Sequence, residues 1–302
     1  GYVVLDNIVF VHKIFFLRYA PRLPKPGETL IGTKFTTSYG GKGANQCVAA
    51  AKLGGNTYMI CKLGDDQWGK AYKEHLKEVG VDVGHIQIQP NMCTGIAQIC
   101  VADDGENQIV IVPGANNYLN EADVDTYSDL IVQADVIIAQ LETPFKPTLK
   151  AFKLSNGVSL LVQSLITVTI CSLNVPHALK KLLAFGCETV IITLGANGAV
   201  YATRKDQELV HVMCENVTPI DTTGAGDAFV GALAKFLISH KNYPIHQVIG
   251  AACYVASISV TKEGTQTSFP SNVKVFDKEY KYVTFGILSN LPKTSIEYGK
   301  PC

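Results

Sequence analysis

Two stretches of strand length constrain this chain more than any other feature. DVIIAQL at 135–141 and ETVIIT at 188–193 are apolar, without the alternation of a half-exposed strand. A strand of that kind needs cover on both faces, as in a sheet sandwiched by helices. The Ala-rich segment 44–53 stops at Gly54-Gly55, residues 67–79 close on Gly80, and 226–239 and 245–260 read as helices. TYMIC at 57–61 reads as a further strand, and 94–101 and 107–112 flank Asp104-Gly105, a hairpin signal. Strands alternating with helices predict an α/β fold with a central, mostly parallel sheet flanked by helices. Residues 154–179 hold no Asp, Glu, Lys or Arg and read as one or two buried strands, while 271–302 reads as a polar tail with short apolar patches.

Composition removes several function classes. Lys plus Arg and Asp plus Glu are 26 each among 302 residues, so the chain has no basic surplus with which to hold nucleic acid. No run of about 20 apolar residues occurs, so no membrane-spanning helix is expected. The start, GYVVLDNIVFVHKIFFL, is apolar, but it carries Asp6 and Lys13 and lacks a basic lead-in, unlike a secretory signal. Nine Cys, at 47, 61, 93, 100, 171, 187, 214, 253 and 302, form no CxxC pair. They predict free thiols in a reducing compartment, the cytoplasm or the nucleus.

The strongest chemical signal is the loop Asp221-Thr222-Thr223-Gly224-Ala225-Gly226-Asp227. It follows a strand-like segment at 217–220 and precedes an apolar helical face at Phe229, Leu233, Phe236 and Leu237. Glycines let main-chain amides converge, and a helix N-terminus attracts an anion. A carboxylate at the mouth of an anion site is repelled unless its task is to accept a proton there. Phosphoryl transfer to an alcohol needs that combination of amides for the moving charge and a base for the hydroxyl proton. A capped Gly-rich turn is the plainer alternative.

A second cluster, Gly40-Gly41-Lys42-Gly43-Ala44-Asn45-Gln46, opens the Ala-rich helix. Its spacing is not that of a Walker loop. Lys42 suits a negative or hydroxyl-rich group, and Asn45 offers a donor and an acceptor to sugar hydroxyls. A third element, Thr193-Leu194-Gly195-Ala196-Asn197-Gly198, follows a strand, where α/β folds place ligands; a hairpin turn is as good a reading.

Together these motifs resemble the ribokinase branch of the phosphofructokinase-B-type carbohydrate kinases. GGKGANQ and DTTGAGDAFVGALA are similar to that family's two signatures. RLPKPGETL at 22–30, PGAN at 113–116, QLE at 140–142 and GTQTSFP at 264–270 are similar as well. The resemblance implies ATP-dependent phosphorylation of D-ribose at its 5-hydroxyl, with Mg2+ on the nucleotide. It implies a kinase core from 1–28, 38–93 and 113–270, and a small β lid from 29–37 and 94–112 that also makes a homodimer. By motif position it makes Asp227 the base and the amides of Gly224, Ala225 and Gly226 the anion hole. Gly41, Lys42, Gly43, Ala44, Asn45 and Glu142 would contact the sugar. Thr193, Leu194, Gly195, Ala196, Asn197, Gly198, Gly226 and Cys253 would face the nucleotide. Asp221, the carbonyls of Thr223, Ser259, Lys262 and Gly264, and Ser268 would hold K+.

The chain departs from that pattern at three places. The family's sugar-anchoring Asp falls at Phe15. The span from Glu142 to Asp221 is shorter by roughly 25–30 residues, about one βα unit. Cys253 stands where the family has an adenine-side Asn. These departures leave two further readings beside a ribose kinase: a catalytically impaired relative, and a kinase for another small sugar or a nucleoside.

Overall fold

A computed structural model describes residues 6–9, 13–140, 142–155, 159–163 and 175–290. Elements are numbered in chain order. The central sheet is parallel, ordered β10 (Ser159–Gln163), β9 (Val136–Gln140), β1 (Asp6–Val9), β4 (Thr57–Gly64) and β5 (Val81–Asp82). β6 (Ile86–Gln89) adds in parallel along the second half of β4. β9 comes from DVIIAQL, and all five of its residues are buried, as a strand covered on both faces must be.

The second apolar run behaves differently. ETVIIT gives β11 (Thr189–Thr193), which pairs antiparallel with β12 (Ala199–Thr203) at the edge of a separate sheet, with both end residues exposed. β13 (Glu208–Val212) and β14 (Tyr282–Ile287) complete that sheet, β14 coming from the 271–302 segment. Only residues 194–198 separate β11 from β12, which suits a hairpin and is far too short for a parallel crossover. Of the uncharged stretch 154–179, β10 and the beginning of α6 (Val175–Ala184) are defined; 156–158 and 164–174 lie outside the described residues.

A third sheet has the order β3 (Lys34–Gly40), β2 (Lys13–Ala20), β7 (Ile96–Ala102) and β8 (Asn107–Val112). β2 and β7 are parallel, and the other two pairings are antiparallel. The expected hairpin at Asp104-Gly105 joins β7 to β8, with Ala102 N–H donating to Glu106 O at 2.9 Å.

Helices cover both faces of the central layer. α1 (Lys42–Lys52), α2 (Gln67–Glu78), α7 (Ala225–Ser239) and α8 (Ile245–Ser259) share one core with the central sheet and the β11–β14 sheet, through residues such as Val48, Leu76, Phe229 and Ile249 against Met59, Ile138 and Tyr201. On the opposite side α3 (Glu121–Thr126), α4 (Ser128–Val132) and α5 (Phe145–Leu154) bury Val124, Ile131 and Ala151 against Ile60 and Ile137. α6 covers the antiparallel sheet with Leu179 and Leu183. Among the described residues no helix is long and apolar enough to cross a membrane.

One helix contact positions the site. A Cβ on Gly231 of α7 would fall 2.4 Å from Gln46 O and 2.7 Å from Ala49 Cβ of α1. Glycine on one helix and alanine on the other let the two backbones touch. Asp227, one turn before Gly231, is thereby set against Asn45 and Gln46.

Candidate active site

Asp227 lies in the first turn of α7, behind Gly224 at φ 80°. That left-handed backbone suits glycine, and a Cβ there would also strike Thr265 Cγ2 at 2.4 Å. Ala228 N–H makes a helical bond to Gly224 O at 2.8 Å, so the amides before it lie at the open end of the helix. Gly226 is exposed and Ala225 half-buried; Ala225 N–H makes a long contact of 3.3 Å to Thr222 O. A phosphate oxygen reaching this end would meet these amides and the positive end of the helix dipole.

The Asp227 carboxylate is 6% exposed, and each of its oxygens accepts an amide hydrogen bond. Asn45 Nδ2 donates to Oδ2 at 2.8 Å, and Gln46 Nε2 donates to Oδ1 at 3.0 Å. Burial raises the carboxyl above its ordinary value; the two amide donors and the Lys42 charge work against that rise, while Glu142 adds to it. A carboxylate desolvated but not charge-paired is a better proton acceptor than one in water.

The amides continue outward. Gln140 Nε2 donates to Gln46 Oε1 at 2.5 Å. Gln266 Nε2 donates to Asn45 Oδ1 and to Tyr72 Oη, both at 3.0 Å. Tyr72 in turn donates to Gly40 O at 2.6 Å, and His75 Nε2 donates to Gln266 Oε1 at 2.7 Å. Burial pushes the Tyr72 hydroxyl well up, so it stays a neutral donor. Asn45 is thus fixed from both sides, and segments far apart in the chain meet around it.

Glu142 faces the same loop. Its Oε2 accepts from Lys42 N–H at 3.3 Å, and its Oε1 pairs with Lys13 Nζ at 2.8 Å. Lys13 opens β2 opposite Gly40, and the Phe15 ring lies over Gly40, where a Cβ would come within 2.2 Å of Phe15 Cε2. The GGKGANQ loop therefore carries an ion pair and a phenyl ring at its flank. Gly41 caps α1; Gly43 and Ala44 are buried within it, Ala44 in the core.

Asp221 ties two loops together, accepting from Thr223 N–H and Gly264 N–H at 2.9 Å each. Ser259 and Ser268 are buried, and their hydroxyls donate to Ala256 O and Thr265 O at 2.8 Å each. The Lys262 side chain is exposed. The Thr193–Gly198 segment is the β11–β12 turn, held by Leu194 N–H to Gly198 O at 2.7 Å. Leu194 and Gly198 are buried; Thr193, Gly195 and Ala196 are exposed. His211 Nε2 donates to Asn197 O at 2.6 Å. Cys253, buried on α8, packs behind the exit of β13 against Cys214.

Lys13, Gln46, Gln140 and Gln266 are the residues that sequence reasoning missed as site elements. Gln46 and Gln266 stand inside motifs already singled out, whereas Lys13 carries no local signal. Among the described residues no three His, Cys, Asp or Glu side chains gather as a metal site would require.

Residues 4–149 and 172–272 match the pfkB family carbohydrate kinases. The ribokinase of Mus musculus is 37% identical over 279 residues, covering 82% of this chain and 86% of the relative. A ribokinase structure from Arabidopsis thaliana, complexed with ribose and ATP, superposes with a TM-score of 0.81 at 25% identity, covering 90% of this chain and 97% of that one. The ribokinase from Thermotoga maritima gives a TM-score of 0.77 at 29% identity, with the same coverage.

Proposed function

The chain belongs to the pfkB family of carbohydrate kinases and is a kinase, and from that premise we propose that it transfers the terminal phosphate of ATP to the 5-hydroxyl of D-ribose. The observation that carries this reading is the 2.8 Å bond between Asn45 and Asp227, which joins the GGKGANQ loop to the GAG loop in one cleft. A sugar hydroxyl taken up at Asn45 is presented directly to the Asp227 carboxylate. Asp227 removes its proton as the oxygen attacks phosphorus. The amides of Gly224, Ala225 and Gly226 receive charge on the transferring group, and no rearrangement of the helix end is needed. Lys42 and Glu142 orient the remaining hydroxyls. Thr193–Gly198 and Cys253 form the nucleotide side of the cleft. The mouse ribokinase and the ribose and ATP held by the Arabidopsis structure support the choice of substrates.

Mg2+ belongs on the triphosphate, since the described residues offer no carboxylate cluster of their own and this ion keeps several waters beside phosphate oxygens. The oxygens of Asp221, Thr223, Ser259, Lys262, Gly264 and Ser268 suit K+, a hard cation, and Gly264 N–H on Asp221 already holds their two loops together. When bound, K+ would fix the loop that leads into the anion hole. The β3–β2–β7–β8 sheet is the lid and serves as a homodimer interface, and the free thiols fit a cytoplasmic or nuclear location.

Purified protein should release ADP on addition of ribose, with a dependence on Mg2+ and K+. A folded sample with no ribose-stimulated ADP release overturns the reading. A second acceptor, another small sugar or a nucleoside, is favoured by one observation: the Phe15 ring and the Lys13–Glu142 pair make one flank of the loop less able to bind hydroxyls. A sugar and nucleoside panel in the same assay separates the two, and absence of turnover with all of them identifies an impaired relative.

A further inference from the structure

We propose that His75 is a positioning residue for the transfer: its ring N–H sets the donor-to-acceptor direction of a relay from His75 through Gln266 and Asn45 to Asp227, and so keeps the Asn45 NH2 turned toward the base. The proposal rests on the reading of Asp227 as the base and of Asn45 as the group that takes up the sugar hydroxyl.

Every link is a short contact. His75 Nε2 lies 2.7 Å from Gln266 Oε1, Gln266 Nε2 lies 3.0 Å from Asn45 Oδ1, and Asn45 Nδ2 lies 2.8 Å from Asp227 Oδ2. Gln266 and Asn45 are buried, so water does not replace a lost partner. An amide has one donor end and one acceptor end, and only one way round suits both of its neighbours. Ionised Asp227 can only accept. Asn45 must turn its NH2 to the carboxylate, which leaves Oδ1 for Gln266. Gln266 must turn its NH2 to Asn45, which leaves Oε1 for His75. His75 therefore donates, through an Nε2–H carried by one neutral tautomer and by the charged ring. Tyr72 agrees with this direction: its Oη accepts from Gln266 Nε2 at 3.0 Å and donates to Gly40 O at 2.6 Å.

The parts around the relay are already held. The His75 ring stacks on Tyr39 with centroids 4.1 Å apart and planes 15° apart, and Tyr39 lies on β3, which runs into the Gly40-Gly41 loop. Lys52 Nζ donates to Gln266 O at 2.6 Å and to Phe269 O at 3.2 Å, which pins the main chain on either side of the relay's middle member. What is left for His75 to decide is direction. The second arm, from Gln140 through Gln46 to Asp227, has no such anchor: Gln140 Oε1 is a buried acceptor that finds no partner among the described residues. An acceptor in place of the His75 N–H would turn Gln266 round. Asn45 would follow, and its Oδ1 would then face Asp227 Oδ2. A carboxyl in that buried place holds its proton and ceases to be a base.

The test uses three variants of the full chain. His75→Gln puts an NH2 where the ring has Nε2, His75→Glu puts a carboxylate oxygen there, and His75→Leu puts nothing polar. Relative to the parent, kcat should be within ~3-fold for His75→Gln, about 10-fold lower for His75→Leu and about 100-fold lower for His75→Glu. KM for ATP should be unchanged in all three, and His75→Glu should melt no lower than His75→Leu. Equal kcat in the three variants, or a kcat that simply follows Tm, overturns the positioning role. A melting cycle of His75→Leu with Asn45→Ala reads the relay without turnover. The double variant should lose less than the sum of the singles, although Gln266 stands between the two side chains. Additive losses overturn the relay. A parent protein with no ribose turnover counts against the proposed function, while the melting cycle still decides the relay.

Discussion

At Asp227 the needs of chemistry and of folding diverge. Its carboxyl sits above the ordinary 3.8 because burial outweighs the Asn45 and Gln46 donors. A folded state that binds the proton more tightly than the unfolded chain is favoured below 3.8 and loses that advantage as pH rises through the folded value. Asp227→Asn stays neutral at every pH. Its side-chain NH2 must face one of the two amide donors, a loss that does not depend on pH, so its Tm should gain on that of the parent as pH rises through the folded value, while turnover falls ~10²–10⁴-fold. The acid limb of the parent's kcat/KM should also lie above the ordinary aspartate range. Calorimetry and a pH–rate profile check both, and unchanged turnover removes Asp227 from the base role. Lys13 and Glu142 make a different kind of pair, with side chains 9% and 22% exposed. Removing one partner strands the other's charge in a mostly buried place. Lys13→Met and Glu142→Gln should each destabilise, and the double variant should lose less than the sum, a coupling on the order of 1–3 kcal/mol by denaturant melts. Additive losses would show the pair to be idle. Asn45 and Asp227 were legible in the sequence because each sits in its own glycine motif. The role of Lys13 was not, because it arises only when β2 is laid beside a residue 129 positions away.

The α1–α7 contact turns these residues into a site. A methyl at Gly231 would press on Gln46 O at 2.4 Å, which is main chain and cannot step aside. Gly231→Ala should gain helix propensity, about 1 kcal/mol, and lose more than that to overpacking, typically 1–3 kcal/mol. The expected result is a lower Tm together with a reduced kcat, since the Asn45–Asp227 bond depends on the same approach. A higher Tm with full activity would mean that the helices are not held by this contact. The sequence pattern placed both partners, 44–53 and 226–239, within two residues of α1 and α7. It gave no depth of approach, because glycine and alanine do not announce which neighbour they admit. β11 shows the complementary limit. ETVIIT has the composition of a fully covered strand, but pairing direction is set by the length of the link to the next strand. Residues 194–198 allow a hairpin, so β11 became an antiparallel edge.

Across the whole molecule, the surface hardest to reconcile with an isolated chain is the lid. All six residues of β8 are exposed, and β8 is the last strand of its sheet, with one row of main-chain donors and acceptors open. Val110 is 65% exposed and Ile109 52%; as neighbours on a strand they lie on opposite faces, so neither face of this edge is covered. Phe35 at 58%, on β3 at the opposite edge of the sheet, and Ile31 at 87%, just before that strand, are exposed apolar residues as well. An apolar edge strand left open invites a further strand or a packed face. A second copy of the lid supplies both with the same chemistry, and two-fold self-association is the commonest closed solution. Light scattering should therefore give twice the chain mass at micromolar concentration. Val110→Lys, which leaves the kinase core untouched, should give single-chain mass with the circular dichroism of the parent. Monomeric parent protein at high concentration removes the lid interface, and a Val110→Lys variant that remains a dimer moves the interface elsewhere.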